Sequence, residues 1–266
     1  MTICACGQTD RGLLRPHNED ALLISLDHGV FAVADGMGGH AAGEVASGLA
    51  IEAVREVLDR PRSPEDAMPD LIRRAIDEAN RRIADRIQLR PEYRGMGTTL
   101  VLAVVEGERY WIAHVGDSRA YRIRGSEIRQ LTSDHSFVNE LVRLGMLSRE
   151  QAARDPRRNV VTRALGSGPS VAADVVEEVA QPGDLILLCS DGLNSMLDDQ
   201  TILATARAAE QDLDDGCRRL VAAANAAGGE DNVTVILVQP AGSRVDTTTP
   251  TQPVTMPGSE SKEGQD

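Results

Sequence analysis

Residues 98–124, TTLVLAVVEGERYWIAHVGDSRAYRIR, hold three strand-like runs, 98–106, 109–117 and 119–124, with almost nothing between them. Aliphatic and β-branched residues fill the first two, as strands covered on both faces require. Parallel neighbours need a crossover of about a dozen residues or more. The gaps here are far too short for one, so each successive pair is expected to form an antiparallel hairpin. That disfavours a doubly wound parallel sheet.

Similar runs lie on either side: 21–26 (ALLISL), 30–35 (VFAVAD), 184–191 (DLILLCSD) and 232–239 (NVTVILVQ). Helical periodicity appears between them. Val45, Leu49, Val54, Val57 and Leu58 recur over 42–59, and Leu71, Ile72, Ala75, Ile76, Ala79, Ile83 and Ile87 over 65–87. A third helix is predicted over 213–227, stopped by Gly228-Gly229, with shorter ones over 136–153 and 199–209. Sheets with helices on their outer faces satisfy this order. No repeat of solenoid length occurs.

The ordered domain is expected over residues 1–240. Residues 241–266 are rich in Thr, Pro and Ser, bury too little apolar surface to offset ordering, and read as a disordered tail. The formal charge of −13 opposes nucleic acid or an anionic membrane as the main partner, since both need a basic face. No apolar run approaches the roughly 18 residues of a membrane span. Cys4, Cys6, Cys189 and Cys217 form no C-x-x-C pair, and no secretory signal is evident, so a cytoplasmic location is expected.

One local pattern recurs. Apolar runs end in aspartate beside glycine at FAVADG (Asp35), WIAHVGDS (Asp117) and LILLCSDG (Asp191), and GGEDNVTVILV sets Asp231 just before a run. Any one of these reads as an ordinary turn. Four at the ends of core strands would repel one another and resist desolvation unless a cation neutralised them. Aspartate oxygens without His or Cys favour Mg²⁺ or Mn²⁺ over Zn²⁺. The glycines around Gly36 would clear space for ions and a phosphate. RGLLRPHNEDALL (11–23) adds Arg15, Glu19 and Asp20, and an arginine can grip phosphate through planar, charge-assisted bonds.

These residues carry a resemblance. RPHNED, VADGMGGHAAGEVAS, GMGTTLVLAVV, HVGDSRAYRIR, LTSDHS, NVVTRALG, CSDGLNSML and GGEDNVTVILV occur in the order found in metal-dependent protein phosphatases of the PPM (type 2C) family, in particular the bacterial Ser/Thr phosphoprotein phosphatases. The likeness spans about residues 5–240. It implies an α+β fold, a four-layer α-β-β-α sandwich of two antiparallel sheets flanked by helices. It also implies hydrolysis of phosphoserine and phosphothreonine in phosphoproteins by a metal-bridging hydroxide, opposing a bacterial Ser/Thr kinase. A monomer is expected.

By position, the resemblance implies that Asp35 bridges two Mn²⁺ or Mg²⁺ ions, with the Gly36 carbonyl on one and Asp191 and Asp231 completing the pair. Glu19 and Asp20 would hold metal-bound waters. Asp117, with Asp191, would serve a third, weaker ion, and Arg15 would bind the phosphate. His40 is one candidate proton donor to the leaving alkoxide, metal-bound water being another. Met37 stands where eukaryotic relatives place the acid histidine, and Asp155 where many bacterial relatives have histidine before proline. The segment 132–160 corresponds to a mobile flap. Within the chain, His114 reads as a hydrogen-bonded core residue, and His17, His28 and His135 as loop or turn residues.

Three other readings fit the sequence less well. A cysteine-dependent phosphatase needs an arginine after the nucleophile, and Cys189 is followed by SDGLNS. A catalytically dead binding protein would be expected to lack metal carboxylates, all of which are present. A sigma-factor-controlling phosphatase domain would be expected to adjoin a sensor domain, which this sequence does not contain.

Overall fold

The computed structural model describes residues 3–38, 42–60, 67–209 and 212–240. Two antiparallel sheets lie face to face. The first has β1 (Cys4–Asp10), β11 (Val233–Gln239), β10 (Leu185–Cys189), β7 (Arg119–Arg124) and β8 (Glu127–Gln130), in that order. The second has β2 (Asp20–Ser25), β3 (Val30–Met37), β5 (Leu100–Glu106), β6 (Arg109–Val115) and β9 (Asp174–Val179), with the short β4 (Gly97–Thr98) paired to β3.

Side chains alternate across each strand, so one strand feeds two cores. Phe31, Val33, Val101 and Ile112 of the second sheet meet Ile186, Leu188, Ile236 and Val238 of the first. On the outer face of the second sheet, Ala32, Leu102 and Ala113 pack beneath α1 (Ala42–Leu58) and α2 (Met68–Leu89). On the outer face of the first, Leu187, Val235 and Leu237 pack beneath α6 (Asp199–Ala208) and α7 (Leu213–Ala226). The four-layer sandwich is thus the observed architecture. Between β8 and β9 the chain forms α3 (Phe137–Arg143) and α4 (Arg149–Arg154), and α5 (Asp191–Asn194) follows β10.

One expectation is corrected. β5 and β6 do form a hairpin, but β6 and β7 do not pair: they belong to different sheets. The chain leaves the second sheet at Val115 and enters the first at Arg119. Gly116 makes this corner with φ +105°, and a Cβ there would lie 2.6 Å from the Thr99 side chain. A short gap excludes a parallel crossover, but it also fits a strand that bends from one stacked sheet into the other. The true hairpin partner of β7 is β8. β1, β8 and β9 have no counterpart among the runs predicted above.

Antiparallel pairing gathers the chemistry at one edge. β3 and β6 run the same way, because each is antiparallel to β5, and both end there. β2 starts opposite the end of β3; β7 and β11 start opposite the end of β10. All the recurring aspartates therefore reach the same end of the sandwich.

Candidate functional site

Arg15, Glu19, Asp35, Gly36, Asp117, Asp191 and Asp231 line one cleft of about 360 Å³ at that edge. Asp20 lies against it, directly opposite Asp35 in the β2–β3 register. His40 and the tail 241–266 fall outside the described residues.

The Gly-rich turn after Asp35 is explained by close approach. A Cβ on Gly36 would meet the Gly43 carbonyl oxygen at 2.2 Å, and one on Gly43 would meet Gly36 carbonyl carbon at 2.7 Å and Glu19 Cδ at 2.8 Å. Helix α1 can therefore press its first turn against the strand end. Ser47 of α1 donates to the Glu19 carbonyl at 2.6 Å, and Gly36 N–H donates to the same oxygen at 3.2 Å. The backbone of Asp35 is held from the other side, where Thr99 N–H and the Thr98 hydroxyl donate to its carbonyl.

Asn232 is the clamp that the sequence reading missed. Its Oδ1 accepts from Glu19 N–H at 2.8 Å, and its Nδ2 donates to the carbonyls of Arg11 and His17, both at 2.9 Å. One buried amide thus ties the 11–19 loop to the start of β11. Arg15, carried by that loop, donates to Asp231 Oδ2 at 2.6 Å. Ser190 was also missed: its hydroxyl donates to Asp20 Oδ2 at 2.7 Å and accepts from Thr234 N–H at 2.9 Å.

The electrostatics are those of like charges buried together. Burial pushes Asp20 and Asp117 up to about 7 and Asp191 up to about 6, with neighbouring carboxylates adding to each shift. Asp35 is raised well above the carboxylate range, first by burial and then by Asp20, Asp191, Asp117 and Asp231. Asp20 Oδ1 and Asp191 Oδ1 are buried with no hydrogen-bond partner. Oxygen-only donors, like charges and orphaned acceptors together fit hard divalent cations. Each carboxylate could hold one, as could the Gly36 carbonyl.

Two other groups are placed plainly by the structure. Cys189 is buried, and burial pushes its thiol up to about 12, so it is no nucleophile. His135 lies in the loop between β8 and α3, as expected, and is buried there. It stacks on His114 with ring centroids 4.5 Å apart, and its Nδ1 accepts from Gly116 N–H at 3.1 Å. His114, His135 and Asp174 converge with ligand atoms within 4.8 Å of one another, but the Arg163 guanidinium lies 3.1 Å from His135 Nε2 and 3.3 Å from Asp174 Oδ1 and supplies the positive charge there.

Comparison with known proteins identifies the family and the fold. The profile described as "Protein phosphatase 2C" matches residues 15–230. The serine/threonine phosphatase stp of Listeria welshimeri is 39% identical over 237 residues, covering 87% of this chain and 94% of that one. The crystal structure of the Mycobacterium tuberculosis serine/threonine phosphatase PstP/Ppp superposes with a TM-score of 0.84 at 38% identity, covering 90% of this chain and 99% of that one. The catalytic domain of PstP in complex with two manganese ions gives a TM-score of 0.81 at 37% identity, covering 90% of this chain and 98% of that one. A profile match across most of the chain, on a sandwich whose carboxylates meet at one edge, establishes that this chain belongs to the protein phosphatase 2C family.

Proposed function

We infer that this protein is a metal-dependent phosphoprotein phosphatase that hydrolyses phosphoserine and phosphothreonine, opposing a Ser/Thr kinase. The observation that carries the reading is the meeting of Asp20, Asp35, Asp117, Asp191 and Asp231 with Arg15 at one sheet edge, two of the carboxylates having orphaned buried oxygens.

Asp35, Asp191, Asp231 and the Gly36 carbonyl would hold a core pair of Mn²⁺ or Mg²⁺ ions, a number in keeping with the similar PstP domain, whose structure is in complex with two manganese ions. Asp117, with Asp191, would hold a third and weaker one. When bound, such ions neutralise the cluster, lower the pKa of bound water and polarise the phosphoryl group. Glu19 and Asp20 stand beside the core as acceptors that orient water. Arg15 meets the phosphate from the rim: its side chain is half exposed, and the one guanidinium nitrogen bonded to Asp231 leaves the remaining donors for phosphoryl oxygens. Asn232 fixes where Arg15 stands. His40 is a candidate donor of the proton that the leaving alkoxide requires. Catalysis resides in residues 1–240, and the tail is dispensable for it.

Phosphate release from a phosphothreonine peptide should require added Mn²⁺ or Mg²⁺ and stop with EDTA. Equal release with and without metal would overturn the reading.

A further inference from the structure

A second cavity, of about 370 Å³, adjoins the carboxylate cleft and shares Asp117, Asn159 and Asp191 with it. Its far wall is the segment carrying α3 and α4. Val138, Val142, Ala152 and Ala153 supply an apolar strip, and Asn139, Asn194 and Ser195 supply neutral hydrogen-bonding groups. That volume suits a side chain with some backbone.

Its charges do not balance within the protein. Asp134 is neutralised by Arg119, whose Nε and Nη2 donate to it at 2.7–3.1 Å. Asp117 and Asp191 belong to the proposed metal set and are neutralised when it is loaded. Arg149 and Arg158 remain on the wall, and among the described residues neither guanidinium has an acidic or hydrogen-bonding partner. Most arginines elsewhere are differently placed. Arg81 and Arg82 share Glu78, Arg124 holds Asp184, and Arg219 holds Asp215. Arg157, next to Arg158, is occupied by Asp155 and lies over the Phe137 ring. In a chain of net charge −13, two uncommitted cations facing one cavity would give it a local positive field once metal neutralises Asp117 and Asp191.

We propose that this cavity receives a residue of the substrate chain close to the phosphoresidue, and that Arg149 and Arg158 select an anionic side chain there. The shared chemistry is a carboxylate or a second phosphate. The inference rests on the phosphatase reading above and adds a substrate preference to it.

The test uses the full chain loaded with Mn²⁺ and a set of phosphothreonine peptides. In turn, each position within two residues of the phosphothreonine carries Ala, Asp, Lys or a non-hydrolysable phosphonate analogue of phosphoserine. At one position at least, the anionic peptides should exceed the Ala peptide in kcat/KM by roughly two- to fivefold, the scale of an exposed ion pair. Asp and phosphonate arms distinguish a carboxylate from a second phosphate. Arg149→Lys with Arg158→Lys should keep the preference. Arg149→Glu with Arg158→Glu should reverse it toward the Lys peptide, a gain that misfolding cannot produce. A wild-type enzyme indifferent to charge at every position, or a double Glu variant that keeps the anionic preference, would overturn the proposal. Failure to hydrolyse any peptide in the set would instead remove the phosphatase reading on which it stands.

Discussion

Asp20 and Asp35 face each other across the β2–β3 ladder, and both carboxyl groups are held above the usual carboxylate range by burial and by their neighbours. Like charges opposite one another in a sheet destabilise it. A divalent cation bound between them would offset that repulsion.

This fixes the sign of a pH effect. A carboxyl whose pKa is raised on folding contributes stability that is fully present below its unfolded value, about 3.9. That contribution is lost as pH rises through the folded values, about 6 for Asp191 and about 7 for Asp20 and Asp117. Added Mn²⁺ should therefore raise the Tm more at pH 8 than at pH 5.5, where protons already neutralise the cluster. Asp35→Asn should be more stable than wild type in EDTA at pH 8. Thermal melts at both pH values check this; a Mn²⁺ shift independent of pH would count against it.

Asn232→Ala should destabilise the protein by about 2–3 kcal/mol, because it leaves buried backbone groups of the 11–19 loop unpaired. The same change should lower kcat/KM by releasing Arg15 from its position. Urea denaturation and phosphopeptide kinetics on one preparation measure both. A variant with wild-type stability would mean that the loop is held by something else.

Thiol alkylation of the folded, metal-loaded enzyme should leave turnover intact. Cys189 and Cys217 are buried, and burial pushes both thiols up to about 12. Loss of activity on modifying Cys189 without unfolding would point to a different chemistry.

Asp117 should behave unlike Asp35. It sits at the corner between β6 and β7, apart from the β2–β3 ladder, and lines both cavities. Asp117→Ala should preserve tight metal binding while lowering turnover and raising the metal concentration needed. Isothermal titration with Mn²⁺, paired with kinetics, separates the cases; loss of the tight ions in Asp117→Ala would reassign the core site.

Much of this site was legible because strand ends bearing Asp-Gly leave a local trace in the sequence. Asp35, Asp117, Asp191 and Asp231 needed only the apolar runs beside them. Asn232 and Ser190 left no such trace, since their roles come from partners 213 and 170 residues away in the chain. β9 (DVVEEV) was hidden because a half-covered edge strand carries few apolar residues. β8 has only four residues, and β1 mixes Gly, Gln and Thr with its cysteines. The β6–β7 corner was misread for a different reason. A short gap specifies that the chain turns, and only the stacking of two sheets specifies where it goes.

On the proposed function, the carboxylates at this sheet edge would hold the metal on which phosphate release depends. Phosphopeptide turnover of Asp35→Asn across a Mn²⁺ titration tests it most directly. Turnover should fall by about 10³-fold or more, and added Mn²⁺ should not restore it. An Asp35→Asn enzyme with wild-type turnover and the wild-type Mn²⁺ requirement would contradict it.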